Sequence, residues 1–316
     1  MALLLCLNAT AQTGIDLLAK PWVDNQSVEI NDLNGNFYAP GHEEDENSRF
    51  TLNQVQSDGR VRFAADDLAG GQNAIYAGYS VNYLDLSSHG PLLPDRLLDT
   101  SVAAGLPLAQ FSGNVLAFSG GVGYAGDNPF AQRTGAYGKG DLLLVHNFND
   151  TSRLGIGLDY DGNRVALPDV PIPGFGYQAT YGTDLLYVVG VPYSSVRWRP
   201  RQLPALTLSA QYSFPYELLG ELRYKLIPHV ELFARYRQDQ DGFHVDDTPY
   251  DRRLFFEQQK TEFGVDFTVA DNFILSVGGG YAFDQRFYTG FDLSNTDIVT
   301  AVSDVPFARV NLTVSF

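Results

Sequence analysis

The sequence predicts an all-β fold, an antiparallel transmembrane β-barrel of about twelve strands within a range of about 10–14. Three observations carry it. Segments of roughly ten residues alternate apolar and polar positions, the period that turns successive side chains to opposite faces of a strand. No run of about 18 apolar residues exists, so no ordinary transmembrane helix is encoded. The connections sort by length, short ones alternating with long ones, as they do between the two ends of a barrel. Composition agrees: 44% hydrophobic, 13% aromatic and only 18% charged, with 31 Gly, 18 Tyr and 21 Phe. A membrane-spanning sheet has to close on itself, because lipid offers no partner to an unpaired backbone edge.

From the N-terminus, residues 1–11 read as a secretory leader. A short apolar run, Leu3-Leu4-Leu5-Cys6-Leu7, is followed by small residues at Ala9 and Ala11, as cleavage requires, although no Lys or Arg precedes it. Cleavage after Ala11 would remove the single Met and the single Cys, which suits an oxidising envelope compartment. Residues 12–48 are polar, end in His42-Glu43-Glu44-Asp45-Glu46 and show no alternation. They read as a mobile periplasmic extension, the alternative being a plug folded into the barrel.

Residues 49–316 form the predicted barrel. Its strands are placed at 49–63, 74–84, 115–126, 139–148, 153–161, 184–198, 205–214, 217–226, 229–238, 254–268, 273–284 and 307–316. The last is the clearest: Ala308, Val310, Leu312, Val314 and Phe316 share one face, and Arg309, Asn311, Thr313 and Ser315 the other. Leu206, Leu208, Ala210, Tyr212 and Phe214 repeat the register, as do Val230, Leu232, Ala234 and Tyr236. Long connections fall at 127–138, 162–183, 239–253 and 285–306, and short ones at 149–152, 227–228 and 269–272. Two break the alternation. Pro215-Tyr216 is tight where a long loop is due, and 85–114 is long where a turn is due, with a short helix around 95–104 or an uncounted strand as its content. A soluble β-sandwich also alternates, but it would not carry charge in the middle of its polar strand faces and finish on an aromatic of the apolar face.

The terminal strand, Ala308-Arg-Val-Asn-Leu-Thr-Val-Ser-Phe316, resembles the C-terminal assembly signal of bacterial outer-membrane β-barrel proteins. The rest of the chain looks like functionally uncharacterised barrels of that class, with no porin-specific motif. The resemblance implies export to the outer membrane of a Gram-negative-type bacterium. It also implies insertion by the barrel-assembly machinery, which reads the strand ending at Phe316, with membrane lipids as the surrounding partner.

The formal charge of −16, from 37 acidic and 21 basic residues, argues against nucleic acid as a partner. The polar strand faces gather both signs: Arg197 and Arg199; Glu221, Arg223 and Lys225; Glu231, Arg235 and Arg237; Lys260, Glu262 and Asp266; and Arg309. Pointing inward, they would line a lumen and bias ion passage, or fill it with ion pairs. No catalytic, cofactor or metal site is expected. Among five His, His89 beside Ser87 and Ser88 gives no triad, and His244 among Asp239, Asp241, Asp246 and Asp247 reads as a solvated acidic loop rather than a metal site. Gly278-Gly279-Gly280 sits in a strand pattern and reads as close backbone packing. The expected function is a passive or weakly selective channel for small solutes. The alternative is a closed structural or interaction barrel, and an outer-membrane hydrolase stands third.

Overall fold

The computed structural model describes residues 13, 17–18, 27–44, 48–63, 75–88, 93–131, 133–215, 217–246, 249, 252–292 and 295–316; residues 1–11, read above as a leader, lie outside them. Eighteen strand segments form one antiparallel sheet that closes on itself. They are β1 (Val28–Tyr38), β2 (Gly41–His42), β3 (Arg49–Phe63), β4 (Ile75–Ser88), β5 (Arg96–Phe111), β6 (Asn114–Gly126), β7 (Ala136–Asn149), β8 (Ser152–Asp161) and β9 (Ile172–Tyr181). The sheet continues with β10 (Leu185–Val191), β11 (Tyr193–Trp198), β12 (Leu206–Ser213), β13 (Glu217–Ile227), β14 (Val230–Phe243), β15 (Arg253–Ala270), β16 (Phe273–Gly290), β17 (Thr296–Val302) and β18 (Val305–Ser315). β2 prolongs β1 along β3, and β17 and β18 run end to end along β16. The wall is therefore sixteen staves, closed where β1 pairs with β18 from Glu29↔Ser315 to Tyr38↔Phe307.

Sixteen staves correct the expectation of about twelve, and each missed stave has a physical reason. β1 lies in the segment read as an extension: its Asn- and Gly-rich Asp32-Leu-Asn-Gly-Asn-Phe37 resembles a turn, yet both edges find partners, in β18 and β3. The barrel thus begins at Val28 and not at residue 49. β5 is the strand hidden in 85–114. Of the two contents left open there, a short helix around 95–104 or an uncounted strand, it is the strand; the ladder shifts register between Pro107 and Ala109, where a proline is tolerated. β9 sits inside the loop assigned to 162–183, disguised by Pro173, Gly174 and Gly176. The single strand placed at 184–198 is two, broken at Pro192, which donates no backbone hydrogen bond.

The sheet is inside out relative to a soluble protein. Val102, Val122, Ile156, Val189, Phe263 and Val269 point outward and stand exposed, whereas Arg60, Arg235, Glu262, Lys260 and Arg309 are buried within. Exposed apolar staves around a charged interior are stable in lipid, and this is the polarity of an outer-membrane barrel. Exposed Trp198, Tyr224 and Phe214 sit towards strand ends, where interfacial rings belong. At one end lie the C-terminus and turns such as 112–113, 150–151, 228–229 and 271–272. By their shortness this is the periplasmic end. Phe316 closes the seam there, its N–H donating to the Val28 carbonyl at 2.8 Å and its ring meeting Phe273 edge-on at 5.7 Å.

Wall height varies around the ring. β15 and β16 have 18 residues each, β5 16 and β3 15, whereas β10, β11 and β12 have seven, six and eight. The barrel has a tall half and a low half.

Candidate functional site: the barrel lumen

Inside the tall half the side chains fall into two layers. On β3 the inward positions run Arg62, Arg60, Asp58 and Gln54, then Leu52 and Phe50; on β15 they run Asp266, Glu262, Lys260 and Gln258, then Phe256 and Leu254. Charge occupies the membrane depth, and an apolar cluster occupies the outer end. That cluster joins Tyr38, Phe50, Leu52, Leu84, Leu86, Leu97, Phe243, Leu254, Phe256, Phe287, Val302, Val305 and Phe307. Phe287 stacks on Phe256 at 4.7 Å and meets Phe50 edge-on at 6.0 Å. Staves that outrun the lipid lose their apolar surroundings and bury their inner faces against each other.

Below this cap, nine of the twelve residues picked out from the sequence meet in two chains of alternating charge. One runs from Asp266 through Arg223, Glu221, Arg235, Glu262 and Arg309 to Asp32. Arg235 holds Glu221 at 2.7 Å and Glu262 at 3.5 Å, Arg309 holds Glu262 at 3.2 Å, and Glu231 joins through Arg223 at 2.9 Å. Phe233 lies between the Arg223 and Arg235 guanidinium groups at 5.8 and 5.2 Å. The second chain links Glu217, Arg237, Asp239 and Lys260. Charges buried this deeply are tolerable only when paired. Hydrogen bonds then cross from wall to wall: Asn82 donates to Asp241 at 2.9 Å, Gln54 to Asn82 at 3.0 Å and Tyr38 to Gln258 at 3.0 Å.

Three of the twelve stand apart. Lys225 is exposed near the periplasmic end of β13, Arg199 lies beyond β11 with its N–H on the Asp184 carbonyl, and Arg197 faces Ser209 on the low wall. Conversely, the sequence reading missed Asp32, Asp58, Asp99, Lys139, Asp161, Asn163, Arg164 and Glu217, and it placed Asp239 and Asp241 in a solvated loop, whereas both lie on β14 and Asp239 is buried. These residues, with Arg237, line a cavity of about 240 Å³. Acidic groups outnumber basic ones on its wall, where Lys139, Arg164 and Arg237 are the cations. Lys139 sits 2.9 Å from Asp161, Arg164 is 2.7 Å from Asp159, and Asp99 accepts from Tyr137 at 2.6 Å and from Asn163 at 3.1 Å. Inward acidic positions on β3, β5 and β8 were the available signal, obscured because β5 does not look like a strand in sequence.

A latch roofs this cavity. Arg253 donates to the Asn163 carbonyl and side chain at 3.1 Å and to the Arg164 carbonyl at 2.9 Å, and Asn163 donates to Gly242 O at 3.0 Å. Gly126 bridges His244 directly, so β6 and the end of β14 touch across the barrel. Burial and the Arg253 charge push the His244 imidazole down to about 4. Among the described residues no group of three or more His, Cys, Asp or Glu side chains is placed to hold a metal ion.

The low half has the opposite character. Gly155, Gly157, Gly174, Gly176, Gly190, Ser195 and Ser209 occupy inward positions of β8–β12. A Cβ at Gly155 or Gly176 would meet only ordinary contacts, at 3.6 and 3.5 Å. At Gly190 it would come within 2.2 Å of the Phe175 carbonyl, so that glycine is needed for strand approach. The cavity reaches the rim of this half at Ser213, Phe214, Pro215 and Glu217.

Beside these glycines and serines the inward positions of the low half carry Arg153, held to Gln178 at 2.7 Å, and Leu186, Val188, Arg197 and Gln211. No family model matches the chain, and no curated protein does. Among solved structures, an outer-membrane channel of Pseudomonas putida F1 is similar at 10% identity, over 94% of this chain and 97% of that one, with a TM-score of 0.39. A deletion mutant of TodX, a monoaromatic hydrocarbon channel, is similar at 9% identity over 97% and 96%, with a TM-score of 0.39. OmpT, an outer-membrane protein of Vibrio cholerae, is similar at 13% identity over 94% and 99%, with a TM-score of 0.29. The barrel assignment rests on this chain's own closed strand pairing.

Proposed function

We propose that the protein is a narrow, cation-favouring channel for small polar solutes, whose route follows the low half of the barrel. A sixteen-stave barrel is wide enough to enclose an aqueous channel unless side chains fill it. Here the tall half is filled, and in the low half glycine and serine recur among the inward positions, beside Arg153, Gln178, Arg197 and Gln211. Solute entering from outside would cross the low rim near Pro215, pass the acidic cavity, and descend past Gly176 and Gly155. The observation that carries the reading is the cavity itself, which joins the low rim to a ring with an excess of carboxylates.

The twelve charged residues recognised from sequence then divide by role. The ion-paired nine serve mainly as the wall of the packed half; of the twelve, Arg237 faces the cavity and Arg197 the inner wall of the low half. The acidic ring of Asp99, Asp161 and Asp241 sets selectivity, because fixed charge in a constricted lumen concentrates counter-ions. The reading includes insertion through the terminal strand by the barrel-assembly machinery, with Phe316 as the feature recognised.

The test is a reversal-potential measurement across a KCl gradient with the refolded protein in a planar bilayer. Wild type should favour K⁺ over Cl⁻, and Asp99→Asn with Asp241→Asn should cut that preference by roughly 2–5-fold while leaving conductance open. Anion preference, or selectivity indifferent to both substitutions, would refute the acidic ring as the selecting element. Silence from a folded, inserted barrel would favour the closed structural reading.

A further inference from the structure

Carboxylates outnumber cations on the wall of the cavity beneath the latch, and they differ in how they are compensated. Asp161 has Lys139 at 2.9 Å, and Asp239 has Lys260 at 3.2 Å together with the Arg237 guanidinium. Asp99 and Asp241 form no ion pair with any described residue. Both accept from neutral donors instead: Asp99 from Tyr137 at 2.6 Å and Asn163 at 3.1 Å, Asp241 from Asn82 at 2.9 Å. A carboxylate drawn away from bulk water calls for a compensating charge, and for this pair the wall does not supply one.

The two lie close together although they stand on different staves. Asn82 is the cross-strand partner of Asp99 and donates to Asp241. Asn163 donates through one nitrogen both to Asp99 and to the carbonyl of Gly242, the residue after Asp241. The two amides spend their N–H groups holding the pair, so what is left towards the cavity is acceptor. Each Asp99 oxygen keeps a second lone pair, and Asp241 Oδ1 takes no donor from the described residues. Asp32 on the same wall repeats the deficit. It is 9% exposed, its Oδ1 has no hydrogen-bond partner, and Arg309 at 3.6 Å is beyond hydrogen-bond reach.

A ligand suited to this wall brings positive charge and N–H donors. Three of the four oxygens on Asp99 and Asp241 already accept a neutral donor, which leaves single directed lone pairs and not the open carboxylate faces that a metal ion takes. The cavity, about 240 Å³, has the volume of roughly eight waters, room for a short chain with a charge at each end. Glu217 adds a further carboxylate where the cavity meets the low rim.

We propose that this cavity binds a short aliphatic diamine, its two ammonium groups taken by Asp99 and Asp241. The proposal rests on the channel reading for the way in, though not for the site itself. Each ammonium makes charge-assisted hydrogen bonds and supplies the counter-charge its carboxylate lacks. A bound diamine occupies the acidic ring and so blocks K⁺ flow.

The test titrates 1,4-diaminobutane into the refolded full chain in detergent micelles by isothermal calorimetry at constant ionic strength, and records K⁺ current in a planar bilayer with the same diamine. Tetramethylammonium, a cation without N–H, and 1,4-butanediol, a chain without charge, separate the two requirements. One diamine per barrel is expected, bound at least 10-fold tighter than either probe, and Asp99→Asn or Asp241→Asn should weaken it roughly 10-fold. Asp297→Asn, an exposed acid outside the cavity, should leave it unchanged. Wild-type barrel that takes up no diamine, or takes up tetramethylammonium equally well, would overturn the proposal before any variant is made. Binding that survives both substitutions in folded protein would overturn the assignment to Asp99 and Asp241. K⁺-selective current without diamine binding would refute the site and leave the channel reading standing. Diamine binding to a barrel that never conducts would support the site and refute the channel reading.

Discussion

The two halves of this barrel solve the same problem in opposite ways. Both face lipid with apolar side chains, yet the tall half has turned its inner face into a protein core, while the low half sets glycine and serine among a few polar chains such as Arg153, Gln178 and Arg197. The tall staves continue past the apolar band and close over Phe50, Phe256, Phe287 and Phe307, with ion-paired chains beneath. The low staves stop after six to eight residues, and Gly and Ser recur at their inward positions. Stave number alone therefore does not say whether a barrel conducts. The distribution of side-chain volume around the ring does.

If the halves are separate in role, substitutions can be made to affect stability and flow separately. Phe287→Ala removes a fully buried ring stacked on Phe256, and should lower stability by about 3–5 kcal/mol in a urea titration of the refolded protein. Its conductance should match wild type, and a large change in current would mean the apolar cap lies on the solute route. Arg235→Met leaves Glu221 and Glu262 facing each other without their shared cation, Arg223 and Arg309 compensating in part. A loss of about 3 kcal/mol is expected. Arg235→Met combined with Glu221→Gln should recover part of that loss, and a double variant worse than the single would break the network account.

The smallest effect concerns the latch. His244 is held neutral by burial and Arg253, with its folded value at about 4, below the ordinary imidazole range near 6.5. The unfolded chain therefore takes up a proton first as pH falls. The latch's contribution is intact above about pH 6.5 and declines between about 6.5 and 4, by roughly 1 kcal/mol after screening of the part-buried ring. Amide protection at the β6–β14 bridge, corrected for the intrinsic exchange rate at each pH, should be lower at pH 4.5 than at pH 7.5, and His244→Asn should remove most of that difference. Exchange that is indifferent to His244 would rule the imidazole out as its cause.

Much of this was legible from the residues. Alternation in β12, β14 and β18 identifies the barrel, since a period of two that sets charge on one face and bulky apolar groups on the other suits a wall between water and lipid. Nine members of the charged wall were visible for the same reason: their staves carry bulky apolar residues outside and full charges inside. What stayed hidden was the glycine-rich architecture. β9 hides its inward face behind Pro173, Gly174 and Gly176, and residues that leave a lumen open contribute no pattern to a hydropathy reading. The luminal contacts of Thr13 and Leu18 were invisible as well, because these are ordinary residues until they meet Ser101 and Gly105.

The most direct test of the division is a single-channel recording of Gly155→Phe, Gly176→Phe and the pair, beside Phe287→Ala. Gly155 and Gly176 face each other across β8 and β9, and each accepts a Cβ at ordinary contact distance. The folded pair should reduce unitary conductance at least 10-fold at nearly wild-type stability, whereas Phe287→Ala should weaken the fold and leave conductance unchanged. Undiminished conductance in the paired variant would contradict the central claim, because solute would then be passing through the half that is packed.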